Sequence, residues 1–242
     1  MVSTTTPRKD ELITAATADL ARGFHSVRLV PGKKRPRDRG WNTLRMGAAD
    51  LEGAFEDGDN RGRLLGVSLT AQSGVEGYGV CVDLDCDEAI ALAPAILPVT
   101  GERGGRHGAP TSHWFYASDA PLRTLRLSGP DKARYVELLG EGAQVVVPPS
   151  VHPSGERYVW DEEGTASRLG ASALRQATVD LAIGTLCLRC CTPDAVTEVI
   201  AALPDPRRER VGASLAGRLW VPVSPQEPAA LAAHVRAWLA LR

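Results

Sequence analysis

The chain of 242 residues has no apolar run long enough to cross a membrane, and its first residues lack the apolar core of a secretory signal. Both absences argue against a membrane partner and lead to the expectation of a cytoplasmic protein. Cysteine is scarce and odd in number, five in all, which does not suit a disulfide scaffold and suits a reducing compartment. An excess of either charge is missing as well. With Lys+Arg 28 against Asp+Glu 29 the net charge is −1, so any basic, nucleic-acid-binding surface must be local. What remains is a globular composition, 43% hydrophobic and 24% charged. The length suits one large domain or a main domain with a small appendage.

The stretch from Tyr78 to Glu88, YGVCVDLDCDE, organises the rest. Residues 78–84 have the β-branched and apolar enrichment of a buried strand, and acids appear as it ends. Side chains alternate along a strand, so Asp83 and Asp85 share a face, their Cα atoms roughly 6.5–7 Å apart. Two carboxylates aimed at one spot repel unless a cation lies between them, and oxygen ligands suit Mg²⁺ or Mn²⁺. Taken alone, D-x-D is also compatible with solvated acids at a strand end, with Asp87 as N-cap of a helix over 88–93.

Before this strand, residues 8–22 read as an amphipathic helix ended by Gly23, and 25–30 as a short strand. The run PGKKRPRDRGW (31–41) is a loop bearing Lys33, Lys34, Arg35, Arg37 and Arg39. It is either a solvated face or, with Trp41 at its end, a surface for phosphate or base. Residues 48–57 look helical, DGDNRGR a turn, 64–70 a strand and AQSGVEG a turn.

After the acids, the helix breaks at Pro94 and a short strand ends at Thr100. TGERGGRHGAP (100–110) is a glycine-rich loop, either a mobile surface segment or one in which Arg103 and Arg106 meet phosphates. In the strand 111–117, Ser112, Trp114 and Tyr116 take one side and Thr111, His113 and Phe115 the other. His113 matters if its side is that of the acids. After a loop at 118–131, residues 134–160 read as strand, turn, strand, loop and strand. Glu137 lies between Val136 and Leu138, where an unpaired buried carboxylate is costly. A third ligand for the Asp83/Asp85 ion or an edge strand facing water accounts for it. Ser150, His152, Ser154 and Gly155 form a polar loop after Pro148 and Pro149.

Beyond Asp161 the chain becomes Ala- and Leu-rich, with helical periodicity over 171–190, 193–203, 206–219 and 227–241. Cys187, Cys190 and Cys191 fall on one helical face and read as core residues, since a second pair of zinc ligands is missing.

The order of these segments is distinctive as a set. A Lys33–Lys34–Pro36–Trp41 loop precedes Asp83-x-Asp85, followed by T-G-x-R-G-G, Thr111-Ser112-His113, Glu137 in a strand, and VVVPPSVHPSG. Over roughly residues 10–160 this resembles the bifunctional primase/polymerase (prim-pol) branch of the archaeo-eukaryotic primase superfamily. The resemblance implies an α+β fold, with a primase-like catalytic domain over 1–168 containing an RRM-like mixed sheet. A small α-helical subdomain follows over 169–242.

The resemblance further implies a nucleotidyltransferase, a DNA primase and polymerase working with two ions, Mg²⁺ or Mn²⁺, in replication of a phage, plasmid or other mobile element. Asp83, Asp85 and Glu137 would hold the ions, and with His113 would be catalytic. Ser112, His113, Arg103, Arg106, Lys34, Ser150 and His152 would line the nucleotide pocket. Lys33, Arg35, Arg37 and Trp41 would meet DNA. Its partners would be a single-stranded DNA template, nucleoside triphosphates and a replicative helicase. Relatives carry the histidine directly after G-G-x, so His107 stands as an alternative to His113. A metal-dependent nuclease or phosphodiesterase uses the same residue types, and a non-catalytic DNA-binding module is a third reading.

Overall fold

The computed structural model describes residues 6–69, 75–218 and 222–241. The chain runs α1 (Lys9–Ala21), β1 (Ser26–Leu29), α2 (Ala48–Ala54), β2 (Asn60–Leu64), β3 (Ser68–Leu69), β4 (Gly77–Leu84), α3 (Asp87–Ile96), β5 (Glu102–Arg106) and β6 (Ala109–Ser118). It continues with β7 (Leu125–Ser128), β8 (Arg134–Leu139), β9 (Gln144–Val146), β10 (Tyr158–Glu163) and β11 (Ser167–Leu169). Four helices close it: α4 (Ala171–Cys190), α5 (Pro193–Ala201), α6 (Arg207–Leu215) and α7 (Pro228–Leu239). One sheet is β1-β2-β9, and a larger one has the order β10-β5-β6-β4-β8-β7 with β11 beside β6 and β3 beside β4. The β11–β6 pair is parallel, whereas β10–β5, β5–β6 and β6–β4 are antiparallel, so the sheet is mixed and the fold α+β. No helix of the described residues is long and apolar enough to cross a membrane.

The chain divides into two compact units, the first being Met1–Asp83, Thr100–Leu125 and Leu139–Ala171. Within it, α1 turns Leu12, Ala16 and Asp19 inward, and the first two pack on Leu51, Ala54 and Phe55 of the α2 region. Gly23, at φ +89°, lets the chain leave the helix in the left-handed region. The DGDNRGR segment is not the turn its composition predicts. Its Asn60–Arg63 part forms most of β2, with Arg61 and Arg63 fully buried. Strands place alternate residues on one face, so both guanidiniums reach Asp19. Arg61 pairs with one carboxylate oxygen of Asp19, Arg63 Nη2 lies 2.5 Å from the other, and Arg63 Nη1 lies 3.0 Å from buried Glu102. Ion pairing makes a polar sequence acceptable as a buried strand.

The expected strand over 64–70 is shared between β2 and β3, while residues 70–74 lie outside the described set. The glycine-rich 100–110 segment is a β-hairpin, β5 turning at His107 and Gly108 into β6. Its glycines serve close packing. A Cβ on Gly104 would come within 2.8 Å of the Val159 carbonyl oxygen, and one on Gly105 within 2.3 Å of that of Ala109. Residues 97–100 form no strand, unlike the short one expected to end at Thr100. Its buried hydroxyl donates to the Phe115 carbonyl (2.7 Å) and accepts from the Ser167 N–H (3.0 Å), tying the irregular chain to the sheet. The 118–131 segment, expected as a loop, contains β7.

The second unit comprises Leu84–Val99, Arg126–Leu138 and Ser172–Arg242. Here α3 starts with Cys86, not Asp87, as its N-cap and continues through Pro94. Burial of Ala89, Leu92 and Ala93 outweighs the hydrogen bond that proline removes near the helix end. The four C-terminal helices follow the predicted periodicity, with 219–221 and 242 outside the described residues. Cys187, Cys190 and Cys191 are buried and free, as their common face suggested. Buried Asp180 of α4 binds Arg207 (2.9 Å) and Arg210 (2.8 Å) of α6.

Asp19 carries the clearest stability consequence. Burial works to raise its pKa, but Arg63 and Arg61 outweigh burial and hold the carboxyl at about 2, below its ordinary 3.8. A carboxyl depressed in the folded state stabilises fully above its unfolded pKa, and that contribution fades as pH falls from about 4 towards 2. Asp19→Asn leaves buried Arg61 without its acid and Arg63 with Glu102 alone, and is expected to cost about 3–5 kcal/mol in urea unfolding at pH 7. The gap from wild type should narrow as the pH of the titration is lowered through that window.

Candidate active site

In the first unit, β4 and β6 pair with Cys81 opposite Phe115, Val82 opposite Trp114 and Asp83 opposite His113. Paired residues share a face, so His113 stands on the side of Asp83, its Nε2 3.3 Å from Asp83 Oδ1. The imidazole is 5% exposed and stacks on Tyr158, with ring centroids 5.5 Å apart and planes 20° apart. Phe115 meets its edge at 6.4 Å. On the other side of His113 in the sheet stands Gly104, which has no side chain to crowd the ring. His107, by contrast, is exposed in the hairpin turn.

Asp83, Asp85 and Glu137 offer carboxylate oxygens within 4.8 Å of one another. Asp83 is partly buried, Asp85 exposed and Glu137 buried. The Asp85 N–H donates to the Tyr135 carbonyl at 3.0 Å, which fixes the backbone where the strand ends. Glu137 does not face water as on a solvated edge: one oxygen, Oε1, receives Arg126 Nε at 2.6 Å and Arg134 Nη1 at 2.8 Å. Three carboxylates form a hard, oxygen-only donor set, which fits Mg²⁺ or Mn²⁺ and disfavours softer metals.

A second constellation in the first unit surrounds His152. Its Nδ1 accepts from the Ser154 N–H (3.1 Å) and lies 2.8 Å from the Ser154 hydroxyl, which donates to Glu156 (2.8 Å). Glu156 in turn receives Arg106 Nη1 at 2.5 Å and the Gly108 N–H at 2.6 Å, so the 152–156 loop and the β5–β6 hairpin are laced together. Tyr158 meets His152 edge-on at 6.0 Å, joining this constellation to His113. Burial lowers the pKa of His152, and the charges of Arg106, Lys34 and, more weakly, His113 lower it further, against Glu156. Ser150 is fully buried. Its hydroxyl donates to the Arg61 carbonyl (2.9 Å) and accepts from the Arg61 N–H (2.8 Å), which makes it a support of the loop.

The basic loop is anchored through its backbone, with the Lys33 carbonyl accepting from Asn60 (3.1 Å) and the Lys34 carbonyl from Gln144 (2.9 Å). Lys33, Lys34, Arg35 and Arg39 are exposed. Arg37 is drawn to Asp59 (3.3 Å), and Trp41 is half-buried against the core of Phe24, Val27 and Leu29. Arg103 and Ser112 lie on the opposite sheet face from His113. Arg103 is paired across the strands with Trp114, stands over its ring at 5.0 Å and binds Glu162 at 2.5 Å.

The candidate residues thus divide. Asp83, Asp85 and Glu137 come together and His113 joins Asp83, while Arg106 and Lys34 act on the charge of His152. Arg103, Arg37 and Trp41 are engaged elsewhere, and Ser112 is buried on the sheet face away from His113. Sequence reasoning did not select Tyr158, Glu156, Arg126 or Arg134. Tyr158 alone had a usable signal, since it alternates with Trp160 in a strand that follows the polar loop.

The model of one protein family, described as bifunctional DNA primase/polymerase, N-terminal, matches residues 16–174. No curated protein matches the chain.

The environment of His152 yields a solution test. Its imidazole should titrate below the ordinary 6.5 and be neutral at pH 7. In a Lys34→Gln/Arg106→Gln variant the midpoint, followed by the imidazole proton resonances in NMR, should move upwards, though not fully to 6.5 because burial remains.

Proposed function

The chain belongs to the bifunctional DNA primase/polymerase family, and from this premise we propose that it joins nucleotides on a single-stranded DNA template. In this reading it both extends a primer 3′-hydroxyl and begins strands without one. The observation that carries the proposal is the three-acid cluster with His113 held 3.3 Å from Asp83 on the same sheet face. A replicative helicase partner and a mobile-element origin rest on the family resemblance alone. Residues 1–168 are proposed as the catalytic domain and 169–242 as a helical subdomain.

Asp83, Asp85 and Glu137 hold the divalent ions, Mg²⁺ or Mn²⁺. When bound, such ions lower the pKa of an attacking hydroxyl and neutralise charge on the polyphosphate and leaving pyrophosphate. The protein's own residues do the rest. His113, clamped between Tyr158 and Asp83, donates a hydrogen bond to a polyphosphate oxygen, and its fixed ring needs no reorganisation as charge develops there. Lys34 and Arg106 add positive charge near His152. Lys33 and Arg35, presented on an anchored loop, meet the phosphates of the template. Arg103 and Ser112 enter as supports of strand packing, and Ser150 as a support of the His152 loop. Base choice falls to template pairing, in keeping with a donor set of charges rather than base-reading side chains.

The test is synthesis from labelled nucleotides on single-stranded DNA, with and without a primer, in Mg²⁺ or Mn²⁺. Wild type should make product, and Asp83→Asn/Asp85→Asn should lower the rate about a thousandfold or more with the fold intact by circular dichroism. His113→Ala should lose about a hundredfold, mainly in kcat. Degradation of the input DNA without synthesis would replace this reading with a nuclease.

A further inference from the structure

Glu137 is 8% exposed, and a single oxygen, Oε1, accepts from both Arg126 (2.6 Å) and Arg134 (2.8 Å). A buried carboxylate needs such partners while no cation is present. The two guanidiniums are not themselves buried, their side chains being 56% and 48% exposed, so each can leave without opening the core. Both donors sit on an oxygen of a carboxylate that also belongs to the three-acid cluster, where their positive charge opposes a divalent ion.

We propose that Arg126 and Arg134 are resident counter-cations of Glu137, released to the polyphosphate of the incoming nucleotide when divalent ions bind. The inference rests on the metal-binding reading given above and adds a coupling to it. Three carboxylates and two guanidiniums nearly balance, so adding two divalent ions leaves a clear positive excess, which a triphosphate matches. Arginine suits the exchange because its planar fork binds carboxylate and phosphate alike and is more weakly hydrated than an ammonium group. Each arginine therefore weakens ion binding in the absence of nucleotide and strengthens nucleotide binding. The two ligands become linked through one pair of side chains, each favouring the other. Ions and nucleotide then enter most readily together, and a cation alone is held loosely.

The experiment needs no catalysis. Free Mn²⁺ is followed by electron paramagnetic resonance during titration of the full chain without nucleotide, and a fluorescent nucleoside triphosphate is titrated separately at saturating Mn²⁺ without DNA. The Arg126→Gln/Arg134→Gln variant, which keeps amide donors for Glu137, should bind Mn²⁺ about tenfold more tightly than wild type, a change of about 1.4 kcal/mol. The same variant should bind the nucleotide about tenfold more weakly. Arg126→Lys/Arg134→Lys keeps the charge and should hold Mn²⁺ as loosely as wild type, which separates charge from any disturbance of folding. Mn²⁺ binding unchanged or weakened in the glutamine variant, or nucleotide binding unaffected by it, overturns the proposal. An Asp83→Asn/Asp85→Asn variant run beside them tests the underlying reading. If it binds Mn²⁺ as well as wild type, the metal site itself is rejected and the coupling with it.

Discussion

The first unit depends on one buried guanidinium. Arg63 is fully enclosed, bonded to Asp19 of α1 and Glu102 of β5, and its planar group lies 4.1 Å from the Phe24 ring centroid, 4.8 Å from that of Phe115 and 5.1 Å from that of Trp160. Such a charge is tolerable inside a protein only if every neighbour is in position at once. The helix, the small sheet through β2 and the large sheet through β5, β6 and β10 are therefore fixed relative to one another within this unit by a single set of contacts. Arg22 adds a second cation to Glu102 at 2.8 Å, so the acid is gripped from two elements. Phe115 links this anchor to the site, because it contacts Arg63 and, two residues along the same strand, His113.

The site inherits that order. Tyr158 stacks on His113 and lies two residues before Trp160 on β10, the ring beneath Arg63, so the surface that holds the imidazole continues the surface that holds the guanidinium. Gly104 lets β5 and β10 close on each other beside it, with the Val159 carbonyl and the Trp160 ring filling the space a Cβ would need. Glycine here sets the distance between strands; it does not lend mobility to a phosphate loop.

Much of the site was legible because its chemistry lies in local patterns. Two acids at a strand end, a histidine in an alternating strand and an acid between Val136 and Leu138 each violate the apolar rule where the surroundings obey it. The C-terminal helices were legible from periodicity and proline punctuation. The misreadings share a cause. Asn60–Arg63 and Glu102–Arg106 have the glycine and charge of turns, yet both are strands, because the partners that neutralise Arg61, Arg63 and Glu102 come from distant sequence. No window of ten residues contains Asp19 together with Arg63. Pro94 misled for a related reason: burial of the helix face, a tertiary quantity, decides whether the last turn survives.

The same contrast separates the two kinds of arginine in this chain. Arg61 and Arg63 are buried, bonded to acids they cannot leave without stranding a charge, and serve the fold. Arg126 and Arg134 are bonded to a buried acid but reach it from half-exposed side chains. For them, once a divalent ion takes over the charge of Glu137, departure costs little beyond the bond, since water and anions are available at the other end of the swing. Burial of the partner with exposure of the cation is what distinguishes an exchangeable counter-charge from a structural one. Among the described residues, Glu137 is the acid that meets that condition twice over, and it belongs to the cluster whose charge must change during the proposed reaction.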